Sequence, residues 1–132
     1  MTTISVPVIV YISASDITEN EIQCQEVLTM ANSALTEAVY YILLSLTEPL
    51  HGYGIMQNVL QLSNGRVNLA AGTLYGAINT LLEKNWIKAL PGESDSRKKE
   101  YLITDTGRQM LKSELIRLNE LIENGKRILD AQ

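Results

Sequence analysis

The 132-residue chain contains no phenylalanine, one tryptophan, one cysteine and one histidine. Without Phe, its core must be assembled from Leu, Ile, Val, Ala and Tyr. The lone Cys24 excludes an internal disulfide and any cysteine-rich zinc site, and it suits a reducing compartment. The lone His51 leaves no paired-histidine metal motif. No nucleophile–base pair, carboxylate dyad or phosphate-cradling glycine loop is present, so the sequence offers nothing to carry catalysis. Neither a cofactor nor a metal is expected. Long apolar runs are also missing: "SVPVIVYIS" at 5–13 is too short to span a bilayer. It also lacks the basic start and small-residue cleavage site of a secretory signal. With 45% hydrophobic and 20% charged residues, the composition is that of one soluble globular domain near the small end of independent stability.

Positive charge is missing from one region in particular. Residues 1–29 carry Asp16, Glu19, Glu21 and Glu26 and no Lys or Arg. The rest of the chain holds all eleven basic groups, matched by eleven acidic ones. The formal net charge of −4 argues against a nucleic-acid partner at first sight. Local charge reverses this, because Arg97, Lys98 and Lys99 stand together. Two readings fit residues 1–29: a strand or arm in its own right, or a start assigned too early, with translation beginning at Met30. The Gln25-Glu26-Val27 codons can contain a ribosome-binding sequence. Mass spectrometry of the native N-terminus decides, since a peptide covering Ile4 to Gln25 would eliminate the later start.

From Asn32 onward the periodicity is clear. Asn32 or Ser33 can cap a helix whose apolar set is Leu35, Val39, Ile42, Leu43 and Leu46, ended by Pro49. A second helix carries Ile55, Met56, Val59 and Leu60 and stops near Ser63-Asn64-Gly65. A third runs from about Ala71 to Lys84, followed by Asn85, a residue that tolerates the left-handed conformation at helix ends. "WIKAL" at 86–90 and "KKEYLIT" at 98–104 read as two strands joined by an exposed turn. Thr104 caps a last helix, about 105–129, with Asp105 in its first turn. On that helix Leu111, Leu115, Leu118, Ile122 and Leu129 recur at steps of four and three, a seam suited to a second helix. The expected fold is mainly α with a small two-stranded β wing. It comprises an extension at 1–29, a winged helix-turn-helix at 30–104 and a dimerisation helix at 105–132.

The third helix has an unusual second face. Leu74, Ile78, Leu81 and Leu82 make its apolar stripe, whereas Thr73, Gly76, Asn79 and Thr80 occupy the opposite side without a carboxylate until Glu83. A helix entering the DNA major groove needs a face that is neither bulky nor anionic. Asn79 can pair with adenine, Thr73 and Thr80 can meet phosphate or a thymine methyl, and the Gly72 and Thr73 amides are placed for a phosphate. Arg97, Lys98 and Lys99 at the wing supply the positive charge. Neutral-polar helix faces also occur at ordinary packing surfaces, and basic runs in solvated loops. A winged-helix module that binds protein and no DNA is therefore the alternative function. Salt-insensitive behaviour with a co-purifying partner would mark it.

"HGYGI" at 51–55, "GTLYGAINTLLEKNWI" at 72–87 and "KKEYLITDTGR" at 98–108 together resemble a PadR-family transcriptional regulator, over about Leu35 to Arg108. The resemblance implies a cytoplasmic homodimeric repressor that binds a palindromic operator in double-stranded DNA. It implies release on a small-molecule or environmental signal and no membrane partner. His51 then orients the loop into the second helix, Gly52 allows the turn, and Tyr53 packs or touches phosphate. Tyr75 fits either a core-edge residue or a phosphate-bonding hydroxyl. Drug-binding relatives stack planar ligands on aromatic residues at the dimer interface, which makes Trp86, Tyr40 and Tyr41 the candidate ligand contacts. The chain departs from the family pattern at several points. Gly76, Asn79 and Thr80 stand where basic residues are common, which shifts affinity to the wing. Ala70-Ala71 replaces a capping pair, Asn85 a glycine, and Trp86 an aliphatic residue.

Overall fold

The computed structural model describes residues 34–91 and 98–132; the extension at 1–29, the caps expected at Asn32 or Ser33, and Arg97 lie outside the described residues. Helix α1 spans Glu37–Ser45, strand β1 Leu50–His51, α2 Gly52–Leu62, α3 Ala71–Glu83, β2 Ile87–Ala89, β3 Glu100–Ile103 and α4 Asp105–Asp130. The strands form an antiparallel sheet in the order β1-β3-β2. The wing therefore has a third strand beyond the two expected. Two residues beside Pro49 carry no alternation from which a strand can be read.

Thr36 begins α1: its hydroxyl accepts a hydrogen bond from the Val39 amide at 3.2 Å, and Glu37 occupies the first turn. The cap thus falls later than Asn32 or Ser33, because the residue able to satisfy an exposed amide is Thr36. The helix also stops before Pro49. The Leu46 amide closes on Ile42 and Leu43 carbonyls, and the Thr47 hydroxyl donates to the Leu44 carbonyl at 2.9 Å. Ser45 donates to the Tyr41 carbonyl at 2.7 Å and accepts from Asn58 at 2.8 Å, tying α1 to α2.

The core is built without Phe, as the composition requires. Ile42, Leu43 and Leu46 meet Ile55 and Val59 of α2, and Leu74, Ile78 and Leu81 of α3 close the other side. Trp86, Ile87, Tyr101 and Ile103 from the sheet and Met110 and Leu111 from α4 complete it. The Ile103 amide donates to the Leu46 carbonyl at 2.8 Å, anchoring β3 to the end of α1.

One corner fixes the approach of the last helix. Asn85 takes φ = 63°, the left-handed conformation its position suggested. Thr104 donates its hydroxyl to the Asn85 carbonyl at 2.7 Å and accepts from the Gly107 amide at 3.1 Å. Its own amide donates to the Trp86 carbonyl at 2.9 Å. Gly107 lies so close to that carbonyl that any Cβ would collide with it. From this corner α4 presents Gly107, Met110, Leu111 and Glu114 to the domain. Glu114 is 2% exposed. It accepts two hydrogen bonds from Arg117, at 2.8 and 2.6 Å, and one from the Leu35 amide at 3.2 Å. No helix among the described residues is long and apolar enough to cross a membrane.

Candidate nucleic-acid interface

Helices α2 and α3 form the helix-turn-helix pair, joined by residues 63–70. Ser63, fully buried, accepts from the Val67 amide at 2.9 Å and donates to the Leu60 carbonyl at 3.3 Å. Asn64 and Gly65 follow at φ = 54° and 84°, which turns the chain sharply out of α2. Between Gly52 and Leu82 the sequence holds one charged residue, Arg66, and its guanidinium is paired with Glu37.

The faces of α3 divide as its 3.6-residue period demands. Leu74, Ile78 and Leu81 are buried, while Thr73, Gly76, Asn79 and Thr80 are exposed along one side. A Cβ at Gly72 or Gly76 would meet nothing within 4 Å, so the two glycines leave this side shallow. The Thr80 hydroxyl donates to the Gly76 carbonyl at 3.2 Å. Ala70, the N-cap, offers no side-chain acceptor, leaving the amides of Gly72 and Thr73 without a cap.

His51 receives the Gly54 amide on its Nδ1 at 3.2 Å and so caps α2, the orienting role expected of it. Tyr53, one residue into the helix turn, is 65% exposed. Tyr75 is half-buried and leans away from the neutral face toward the start of α2. Gly52, by contrast, lies in helical backbone among residues whose positive φ values are confined elsewhere. Its expected role in permitting a turn is replaced by close approach, since a Cβ there would stand 2.8 Å from Cζ of Tyr75.

At the wing, Lys98 is exposed and Lys99 half-buried. Lys88, which the sequence reading omitted, is exposed on β2 opposite Leu102. The alternation of buried Ile87 and Lys88 was the available signal. Lys84 lies 4.8 Å above the Trp86 ring, joining the end of α3 to the strand that follows.

Among the described residues, the three aromatic candidates lie in different surroundings. Trp86 is 4% exposed and belongs to the core. Tyr40 and Tyr41 are half-buried and meet edge to face, with centroids 5.8 Å apart. A cleft of about 300 Å³ between the end of α1 and α2 is lined by Ser45, Thr47, Glu48, Leu50, Gln57 and Asn58 among others, and by none of these three aromatics. On α4 the seam is divided. Leu111 is buried in its own domain, which removes it from any surface offered to a partner. Leu118 is half-buried, and Leu115, Ile122 and Leu129 are exposed, as are Ile116, Leu121 and Ile128.

The sequence pattern of the transcriptional regulator PadR-like family matches residues 41–113. Among solved structures, a PadR-family transcriptional regulator from Eggerthella lenta is 22% identical. It covers 86% of this chain and 96% of its own, with a TM-score of 0.59. A PadR-like transcription factor from Bacteroides fragilis is 20% identical over 83% of this chain and 99% of its own, with a TM-score of 0.54. BpsR of Bordetella bronchiseptica, whose DNA binding is regulated by 6-hydroxynicotinic acid, is 14% identical over 83% and 85% respectively, at 0.52. At these identities the likeness is one of fold. No curated protein matches the chain significantly.

Proposed function

Because the chain belongs to the PadR-like family and is thus a DNA-binding transcriptional regulator and no enzyme, we propose that it is a homodimeric repressor reading a palindromic operator with the neutral face of α3. The observation that carries this reading is the exposed row of Thr73, Gly76, Asn79 and Thr80 opposite the buried Leu74, Ile78 and Leu81. A shallow face without charge fits a groove about 12 Å wide. Asn79 pairs with adenine. Thr80, whose hydroxyl hydrogen is already committed to Gly76, suits a thymine methyl better than a phosphate. Thr73 and the uncapped Gly72 and Thr73 amides take a backbone phosphate, with the favourable end of the helix dipole behind them. Lys98, Lys99 and Arg97 neutralise phosphate at the wing, and Tyr53 stands exposed to join them. A small-molecule or environmental signal relieves repression by favouring the dimer form whose α3 helices are misplaced. The regulation of BpsR by 6-hydroxynicotinic acid, on a similar fold, supports that view. Tyr40 and Tyr41 are the aromatic pair available to such a ligand; Trp86, buried, is not.

The test is fluorescence-anisotropy binding to the gene's own upstream duplex and to a scrambled duplex at two salt concentrations. Tighter, salt-weakened binding to the upstream duplex is expected. K98A should weaken both duplexes alike and lower the salt slope by about one. N79A should erode discrimination by about 1–3 kcal/mol at one base pair. Equal, salt-insensitive behaviour on both duplexes would return the α3 face to a protein partner.

A further inference from the structure

Gly52 is a glycine that its backbone does not need. It opens α2 in ordinary helical conformation and is buried, a place where alanine suits the helical backbone at least as well. The reason for its small size lies across the helix pair. A Cβ at Gly52 would collide with the hydroxyl of Tyr75 and lie 2.8 Å from Cζ and 3.4 Å from Cε1. The phenol oxygen and two ring carbons of one side chain therefore fill the space that a methyl would take. Gly72, Gly76 and Gly125 show the contrast, for a Cβ at each would stand in open space.

The place where this ring bears is a junction. Gly52 follows His51 directly, and β1 pairs with β3 through Leu50 with Tyr101 and His51 with Glu100. A side chain of α3 thus rests on the backbone where the wing sheet becomes α2. Tyr101, buried in β3, has its phenol pushed above the usual range by burial and then by Tyr75. We propose that Tyr75 is a positioning residue, its ring seated in the space left by Gly52 so as to fix the α3 reading face relative to α2 and the wing. This rests on the reading of α3 as the groove-entering helix. Tyr75 then acts through Gly52, and the direct phosphate contact open to it in the sequence is not its role.

Four proteins test this: Y75F, Y75A, G52A and G52A/Y75A, each measured on the upstream and scrambled duplexes and by thermal unfolding. Y75F, which keeps the ring, should bind the upstream duplex within twofold of the unsubstituted protein and with the same salt slope. Y75A should lose at least fivefold on the upstream duplex while changing less than twofold on the scrambled one. G52A should do the same, and should cost nothing further once the ring is gone. A lower salt slope in Y75F would put the hydroxyl on phosphate and overturn the proposal. So would a G52A loss of equal size with and without the ring. If G52A does not fold, Y75A decides alone: equal loss on both duplexes would mark a merely structural ring. If the unsubstituted protein discriminates no duplex, the operator reading fails, and the melts still judge the seat. G52A should then lower Tm by several degrees with the ring present and not in its absence. Additive shifts would overturn it.

Discussion

At the scale of single residues, Glu114 is the group whose ionisation the fold depends on most visibly. Its carboxylate is buried, yet the hydrogen bonds from Arg117 hold it below the usual glutamate range. Burial opposes this, and the Leu35 amide and the Arg117 charge add to the lowering. A folded-state value below the unfolded one means that the contribution to stability is complete above the ordinary glutamate value of 4.5 and is lost as pH falls through the lower, folded value. Unfolding midpoints followed from pH 7 to pH 3 should therefore decline on the acid side. E114Q, which has no carboxylate to protonate, should start lower at pH 7 and decline less. Parallel curves for the two proteins would show that other carboxylates govern acid unfolding. Tyr40 faces the same charge; burial, then Glu114 and Tyr41, push its phenol above the usual tyrosine range. None of this was legible in the sequence. Glu114 sits among solvent-type charges on a helix, and it becomes internal through the docking of α4 on the domain, where the Leu35 amide reaches it from 79 residues away.

At the scale of elements, α3 begins badly for a helix and well for an anion. Ala70 supplies no acceptor, whereas Thr36, His51 and Thr104 cap the other three described helices through side chains. Installing a cap should therefore separate stability from function. A70D should raise stability by about 1 kcal/mol, read as a higher denaturation midpoint. It should also weaken operator binding if the amides take a phosphate as proposed, because its carboxylate occupies them and repels the anion. A70D that binds as tightly as the parent would remove the phosphate from this helix end. The elements themselves were largely visible beforehand. The turn residues Ser63-Asn64-Gly65, the left-handed Asn85 and the Thr104 cap gave α2, α3, the wing strands and α4 nearly their observed bounds. What escaped was short or decided at a distance. Strand β1 has two residues and exists by pairing with β3, and the space at Gly52 exists because Tyr75 fills it. The neutral face of α3 was read from spacing alone and is exposed as expected, since helical period and burial agree over that stretch.

At the scale of the whole molecule, α4 presents one face to two different surroundings. Gly107, Met110, Leu111 and Glu114 lie against the domain. The same face continues through Leu115, Leu118, Ile122 and Leu129 for sixteen more helical residues, roughly 24 Å at 1.5 Å per residue. Leaving Leu115, Ile122 and Leu129 half or more exposed costs apolar hydration that a second helix would relieve, at about 25 cal/mol for each Å² covered. On the proposed reading the second helix is that of a twin copy, since a palindromic operator would ask for two α3 helices about 34–36 Å apart and two projecting α4 helices can set that span. Placing carboxylates in the seam, as in L115D/I122D, should leave the domain folded, since neither side chain belongs to the core. Sedimentation equilibrium is expected to report a dimer for the parent and a monomer for this variant. Operator affinity should fall by far more than the loss on scrambled DNA, because one half-site cannot hold what two hold together. A substituted protein that still sediments as a dimer would move the interface off this seam. A parent that is already monomeric would leave α4 to a different chain and reduce the operator to a single half-site.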